Sequence, residues 1–187
     1  MSLSFQEKIA QLQANYYKSN NKNTFFKSSQ KLDCATTITN SFELKQLFEH
    51  AIYIIPNTNR IYFNYPFFKT FANPTIFEEF VSYAYQLFNE AICHYSNYEM
   101  HVNWNTYSVS AHDRYKELYR IFLERYEQHD CNFHDNLTQL YVYFTPNVIQ
   151  LISKLMTPLM HPAILNKITL FNKTESEGFV QTLLHKK

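Results

Sequence analysis

Gly178 is the single glycine in a chain of 187 residues. Glycine supplies positive φ and close backbone approach without steric cost, so phosphate-cradling loops depend on it. A chain with one glycine cannot form a G-x-G-x-x-G fingerprint, a Walker A loop or a G-x-S-x-G nucleophile elbow. Nucleotide chemistry and α/β-hydrolase chemistry of those types are therefore excluded. The rest of the composition argues for one packed domain with a short N-terminal extension. Hydrophobic residues make up 45% and charged residues 18%, which leaves enough apolar material for a core. Lys plus Arg is 17 against 16 for Asp plus Glu, a net charge of +1. That balance excludes a polycationic nucleic-acid coat and an acidic tail, and no nucleic-acid partner is expected. Asn, Lys, Tyr, Phe and Ile are abundant, the residues of A/T-rich codons, which points to an AT-rich genome.

Cys34, Cys93 and Cys131 are widely spaced and odd in number, and no C-x-x-C occurs. They read as reduced thiols of a cytoplasmic protein. Residues 1–14 lack the apolar stretch of a signal peptide, and no run of about 18 apolar residues offers a membrane span.

Hydrophobic period sets the order of elements. A short leading helix (Phe5, Ile9, Leu12) is followed by a polar tract over 15–31, read as a linker. Residues 1–39 are thus expected as helix and linker, and 40–187 as one α/β domain. Asn40 or Ser41 is expected to cap a helix carrying Phe42, Leu44, Leu47 and Phe48. Residues 51–55 and 61–63, split by Pro56-Asn57-Thr58-Asn59 and closed by Pro66, read as a hairpin. Over 75–95, Phe77, Phe80, Val81, Ala84, Leu87, Phe88, Ala91 and Ile92 recur at helical spacing, with Thr75 and Glu78 as capping box. A strand is expected over 98–107. A helix from Ser110 follows, burying Tyr115, Leu118, Tyr119, Phe122, Leu123 and Tyr126. The run 140–144 is apolar on both pleat faces, as in a central strand. A helix over 147–157, a strand over 168–171 and a short helix around Phe179–Leu184 complete the chain. Alternation of this kind predicts an α/β fold with a mixed, mainly parallel sheet flanked by helices.

Three stretches go further. They are the apolar strand Leu140-Tyr141-Val142-Tyr143-Phe144 ending in Thr145-Pro146, the helix from Val148 to Leu155 leading into Met156-Thr157-Pro158-Leu159-Met160, and Ile164-Leu165-Asn166-Lys167-Ile168 entering the last strand. Together they resemble the C-terminal half of CRAL-TRIO (Sec14-like) domains, and the upstream order resembles the first half, so the likeness covers residues 40–175. The resemblance implies that fold and the binding of a lipid. It also has departures. Val102-Asn103-Trp104-Asn105 stands where the family carries Asp-Leu-x-Gly, and the family's C-terminal leucine-proline and glycine-glycine segment has no counterpart. The chain reads as a divergent, C-terminally truncated member in which a gate-driven exchange cycle is not expected.

Site chemistry is sparse. His129-Asp130-Cys131-Asn132-Phe133-His134-Asp135 gathers metal-binding residue types, but its spacing matches no standard site and a polar loop is the simpler reading. Cys93 and His94 are helix neighbours that point apart, Cys34 has no paired base, and Glu78, Glu79 and Glu90 fall on a wet helix face. No catalytic residue, metal ligand or cofactor is assigned. The positive signal is 18% aromatic residues, with 17 Phe and 15 Tyr. Tyrosine joins an apolar body to a polar tip and can line a pocket for an amphipathic ligand. Tyr53, Tyr62, Trp104, Tyr107, Tyr141 and Tyr143 are the expected ligand-binding residues, and Arg60, Lys69, Lys154 and Lys167 the bases expected to meet a phosphate. Tyr141 and Tyr143 share one face of their strand, and Leu140, Val142 and Phe144 the other. The hydroxyl-bearing face is taken as the ligand's. The expected function is non-enzymatic binding of a lipid or hydrophobic small molecule. A ligandless protein-interaction module is the alternative, and a hydrolase or metal enzyme with an unrecognised site comes third. Membrane contact is expected to be peripheral at most, through Leu183-Leu184-His185-Lys186-Lys187.

Overall fold

The computed structural model describes residues 3–20, 27–128, 133–147 and 149–185. In chain order the helices and strands are α1 (Phe5–Ser19), α2 (Lys27–Thr39), α3 (Leu44–Ala51), β1 (Ile52–Ile54), β2 (Arg60–Asn64), α4 (Tyr65–Phe71), α5 (Phe77–Tyr95), β3 (Tyr98–Asn103), α6 (Val109–Arg114), α7 (Lys116–Gln128), α8 (Phe133–Asn136), β4 (Leu137–Tyr143), α9 (Ile149–Met156), α10 (Pro162–Leu165), β5 (Ile168–Leu170) and α11 (Lys173–His185). The sheet order is β1-β2-β3-β4-β5. β1 lies antiparallel to β2 and the other pairs are parallel. This is the mixed, mainly parallel α/β sheet that the hydrophobic pattern predicts.

Each parallel strand is added next to its predecessor. Right-handed crossovers in such a series put the connecting helices on one side of the sheet. Register sorts the strand residues by face. Phe63, Val102, Val142 and Leu170 lie in one row, and Ile61, Met100, Leu140 and Ile168 in the next, all turned toward those helices. The alternate rows hold Tyr53, Tyr62, His101, Tyr141 and Thr169, then Asn64, Asn103 and Tyr143. They face away, toward α11, whose Leu183 packs with Ile55, Tyr62 and Tyr143.

Local chemistry explains where elements begin and end, and it corrects several expectations. The tract over 15–31 is helical at both ends: α1 runs to Ser19 and α2 starts at Lys27, while 21–26 lie outside the described residues. A polar composition there marks wet helix faces, since among the described side chains of α2 only Cys34, Ala35, Ile38 and Thr39 are buried. Glu43, without a side-chain bond, takes the position before α3 in place of Asn40 or Ser41. Pro66 ends the hairpin as expected and also opens α4, where Asn64 caps Phe67. The Thr75–Glu78 capping box is not formed. Asn73, 1% exposed, takes that role: its Oδ1 accepts from the Thr75 N–H at 3.1 Å, and its Nδ2 donates to Thr39 Oγ1 at 2.9 Å and to the Phe71 carbonyl at 3.0 Å. One carboxamide thus ties α2 and α4 to the short 3-10 turn Pro74–Ile76 that leads into α5.

β3 stops at Asn103, short of the expected Tyr107. The Asn103 Oδ1 accepts from the Asn105 N–H at 2.9 Å and turns the chain. Ser108, not Ser110, caps the following helix. β4 sits between β3 and β5, so it is interior but not central. Phe144 leaves its strand in a left-handed conformation (φ 56°), with its N–H donating to Ser176 Oγ at 2.7 Å. It packs with the α11-side cluster instead of sharing a face with Leu140 and Val142.

Candidate functional site: a cavity under the helices

The helices do not close down on the sheet. Between them lies a cavity of about 580 Å³. Its floor is the apolar rows of the sheet, chiefly Phe63, Met100, Val102, Leu140 and Val142. α5 supplies Phe80, Val81, Ala84 and Phe88, and α7 supplies Leu118, Tyr119, Phe122 and Leu123. The segment from α9 to α10 forms the remaining wall with Ile149, Ser153, Thr157, Met160, His161 and Ile164. Periodicity explains these walls: α5 and α7 each turn an apolar stripe inward and a charged one outward, where Arg125 of α7 pairs with Glu78 of α5 at 2.8 Å.

At one end, Trp104 stacks on Tyr107 with ring centres 4.7 Å apart. Tyr107 shares a hydrogen bond with Tyr119, and burial pushes the Tyr107 hydroxyl up to about 12. The Tyr98 hydroxyl donates to the Phe133 carbonyl at 3.1 Å. These hydroxyls are satisfied by protein, so the rings present apolar surface. Near α8 and α10, His134 and His161 stack with centres 3.9 Å apart, beside Ser153 and Thr157.

The expected ligand residues divide between the two faces. Trp104 and Tyr107 line the cavity. Tyr53, Tyr62, Tyr141 and Tyr143 lie on the opposite face, so the six do not form one cleft. The large cavity lies on the hydrocarbon face, not the hydroxyl-bearing one. The expected bases do not converge either. Arg60 pairs with Glu99 at 3.0 Å on the far face. Lys69 of α4 bonds Thr106, and burial together with the nearby Lys31 and Arg114 charges lowers its pKa. Lys154 is exposed on α9. Lys167 donates to the carbonyls of His134 at 2.7 Å and Leu137 at 2.6 Å. Phe63, a pocket candidate by its aromatic ring on a strand, also lines the cavity, whereas sequence reasoning missed Val102, Ser153 and the two histidines as lining residues. The alternation in β3 carried the signal for Val102.

The far face combines a bonded network with a smaller cavity of about 230 Å³ bordered by Arg60, Tyr141 and Tyr143. His101, 3% exposed, lies between the Tyr143 hydroxyl (2.9 Å from Nδ1) and Glu99 (3.2 Å from Nε2). Burial holds its imidazole below the ordinary value; Glu99 pulls it back and Arg60 adds to the lowering. The neutral ring therefore donates to Glu99 and accepts from Tyr143. Tyr143 in turn lies nearly parallel to Phe171, 5.3 Å away.

Of the His129–Asp135 cluster, 129–132 lie outside the described residues. Among the described residues no three His, Cys, Asp or Glu side chains are grouped to hold a metal, and no helix is long and apolar enough to cross a membrane. Cys34 is buried, which pushes its thiol up, and Cys93 is exposed.

No family model matches this chain, and no curated protein matches it. A solved structure does: the crystal structure of Sfh5, a Sec14-family protein, superposes with a TM-score of 0.53 at 12% identity, covering 88% of this chain and 67% of that one. The fold is Sec14-like. At 12% identity the likeness concerns the path of the backbone; the residues lining the cavity are this chain's own.

Proposed function

We propose that this protein binds a lipid or another hydrophobic small molecule, without chemical turnover, in the cavity between the sheet and the helices. The cavity itself carries the reading. At about 580 Å³ it falls within the range of about 300–1,000 Å³ typical of small-molecule sites. Burial is worth about 0.8 kcal/mol per methylene, so ten enclosed methylenes supply roughly 8 kcal/mol before the cost of association. Phe63, Val102, Val142 and Phe88 are the surface that such a chain would meet. The Sec14-like fold supports the same reading, and the unpatterned cysteines support a cytoplasmic setting. A cavity of this size speaks against the alternative of a ligandless module with a filled core.

Native mass spectrometry and solvent extraction of the purified protein test the proposal. The expected result is a lipid-sized adduct lost on denaturation, or uptake of phosphoinositides, sterols or fatty acids offered to the protein. Finding neither adduct nor uptake would overturn it.

A further inference from the structure

The smaller cavity, about 230 Å³ on the α11 side of the sheet, has a chemistry of its own. Its charged border is one pair. Arg60 and Glu99 are register partners on β2 and β3, and Arg60 Nε donates to Glu99 Oε2 at 3.0 Å. The same oxygen accepts from His101 Nε2 at 3.2 Å, and the other nitrogen of that ring accepts from the Tyr143 hydroxyl at 2.9 Å. The carboxylate is thus held in place through one oxygen. Among the described residues, Glu99 Oε1 and the two terminal nitrogens of Arg60 have no hydrogen-bond partner. Arg60 and Glu99 keep 36% and 25% of their side-chain surface exposed, so the pair is open to an incoming molecule.

The rest of the cavity is largely aromatic. Tyr143 lies 5.3 Å from Phe171 at 8° from parallel, and Tyr141 lies 6.1 Å from the same ring at 27°. Phe179 of α11 stands 4.8 Å from Phe171 and is 52% exposed, so it forms the outer edge. Flat walls of this kind stack on the π-face of a planar ring. The pair carries no net charge and His101 is neutral, so an anion would meet Glu99 and a cation would meet Arg60. What the pair offers is a donor beside an acceptor. The molecule that matches it presents an acceptor beside a donor.

We propose that this cavity binds a small uncharged planar heterocycle by a lactam edge. The ring carbonyl accepts from Arg60, the adjacent ring N–H donates to Glu99 Oε1, and the ring face lies against Tyr141, Tyr143, Phe171 and Phe179. At about 230 Å³ the cavity is smaller than the ~300 Å³ at which sites for drug-sized molecules begin, so it suits one or two fused rings and not a lipid. The bonds behind Glu99 set the acceptor before the ligand arrives, which lowers the cost of ordering it. This site is on the opposite face of the sheet from the lipid cavity, and neither depends on the other.

The test titrates the purified full chain with hypoxanthine, 1-methylhypoxanthine and purine by calorimetry at about pH 7, where carboxyl groups are ionised. 1-Methylhypoxanthine lacks the lactam N–H, and purine lacks both that N–H and the carbonyl. Hypoxanthine is expected to bind at least about tenfold more tightly than either, because a hydrogen bond to a charged group is lost in each. Glu99→Gln keeps a carbonyl oxygen for Arg60 and His101 but turns an amide NH₂ toward the ligand. It is expected to erase the preference for hypoxanthine over 1-methylhypoxanthine. Phe179→Ala removes a half-exposed ring and is expected to weaken all three about fivefold. Circular dichroism checks that both variants fold; should Glu99→Gln not fold, the three probes and Phe179→Ala still decide. Absence of hypoxanthine binding, equal binding of the three probes, a folded Glu99→Gln that keeps the preference, or a Phe179→Ala that binds as the parent does would each overturn the proposal. None of these outcomes touches lipid uptake, so the two readings fail separately.

Discussion

The two faces of one sheet have been finished in opposite ways. Toward the crossover helices the strands present Phe63, Met100, Val102, Leu140 and Val142, and a cavity is kept. Toward α11 the same strands present Tyr62, His101, Tyr141 and Tyr143; His101 bonds the Tyr143 hydroxyl, Tyr141 stacks on His101, and a smaller cavity of about 230 Å³ remains. The difference shows that aromatic content does not decide where a ligand goes. Tyrosines next to His101 and Asn103 find partners inside the protein: Asn103 Nδ2 donates to the Tyr62 hydroxyl at 3.1 Å, and among the described residues no buried side-chain polar atom lacks a partner. Hydrocarbon rows have no such partners, so their space stays accessible when the helices above are held apart by large side chains such as Phe80, Phe88 and Phe122.

The contrast can be broken from either side, and the largest effect on stability is expected on the networked face. Tyr143→Ala removes a ring packed against Phe171 and leaves His101 without its hydroxyl partner. A loss of about 3–5 kcal/mol is expected in urea unfolding. A loss below about 1 kcal/mol would mean that this face is not tightly packed.

A smaller effect follows from pH. His101 is held neutral in the folded protein, below its ordinary value of 6.5. The unfolded chain then binds the proton more readily, so the contribution is fully present above about pH 6.5 and is lost as pH falls through the lowered folded value. Thermal unfolding between about pH 7 and pH 5 should show a shallower decline for His101→Gln than for the parent. Parallel curves would show that His101 contributes nothing to the acid sensitivity.

On the cavity face the expectation reverses. Val102→Phe adds bulk that would cost about 1–3 kcal/mol in a filled core. Here it projects toward the cavity, so less than about 1 kcal/mol is expected, together with loss of lipid uptake. A costly Val102→Phe, or one that still takes up lipid, would count against the cavity. The smallest effect belongs to Lys154→Ala. This exposed residue should change stability by no more than about 0.5 kcal/mol and leave lipid uptake as it was.

Much of the framework was legible in periodicity. The hairpin, α5, α7 and the parallel strands follow from apolar spacing at two or three-to-four residues, because burial on one face enforces that spacing. Boundaries were harder wherever a side chain intervened. Asn73 captures the chain two residues before Thr75 and outcompetes the expected capping box. Asn103 ends β3 by bonding the Asn105 N–H. The site was less legible. Alternation in β4 separated Tyr141 and Tyr143 from Leu140 and Val142 correctly, but how far the helices stand off depends on the summed volume of side chains from α5, α7 and α9. The His134–His161 stack brings together residues from α8 and the start of α10, far apart in sequence, and no local pattern announces it.

Strand order here follows chain order, so each new strand docks on the one made just before it. A ribosome delivering this protein would lay down the greasy floor of β2, β3 and β4 before the 149–170 wall. On the binding reading proposed above, an oily guest met during synthesis could be wrapped by that wall as it emerges, without first having to force it apart.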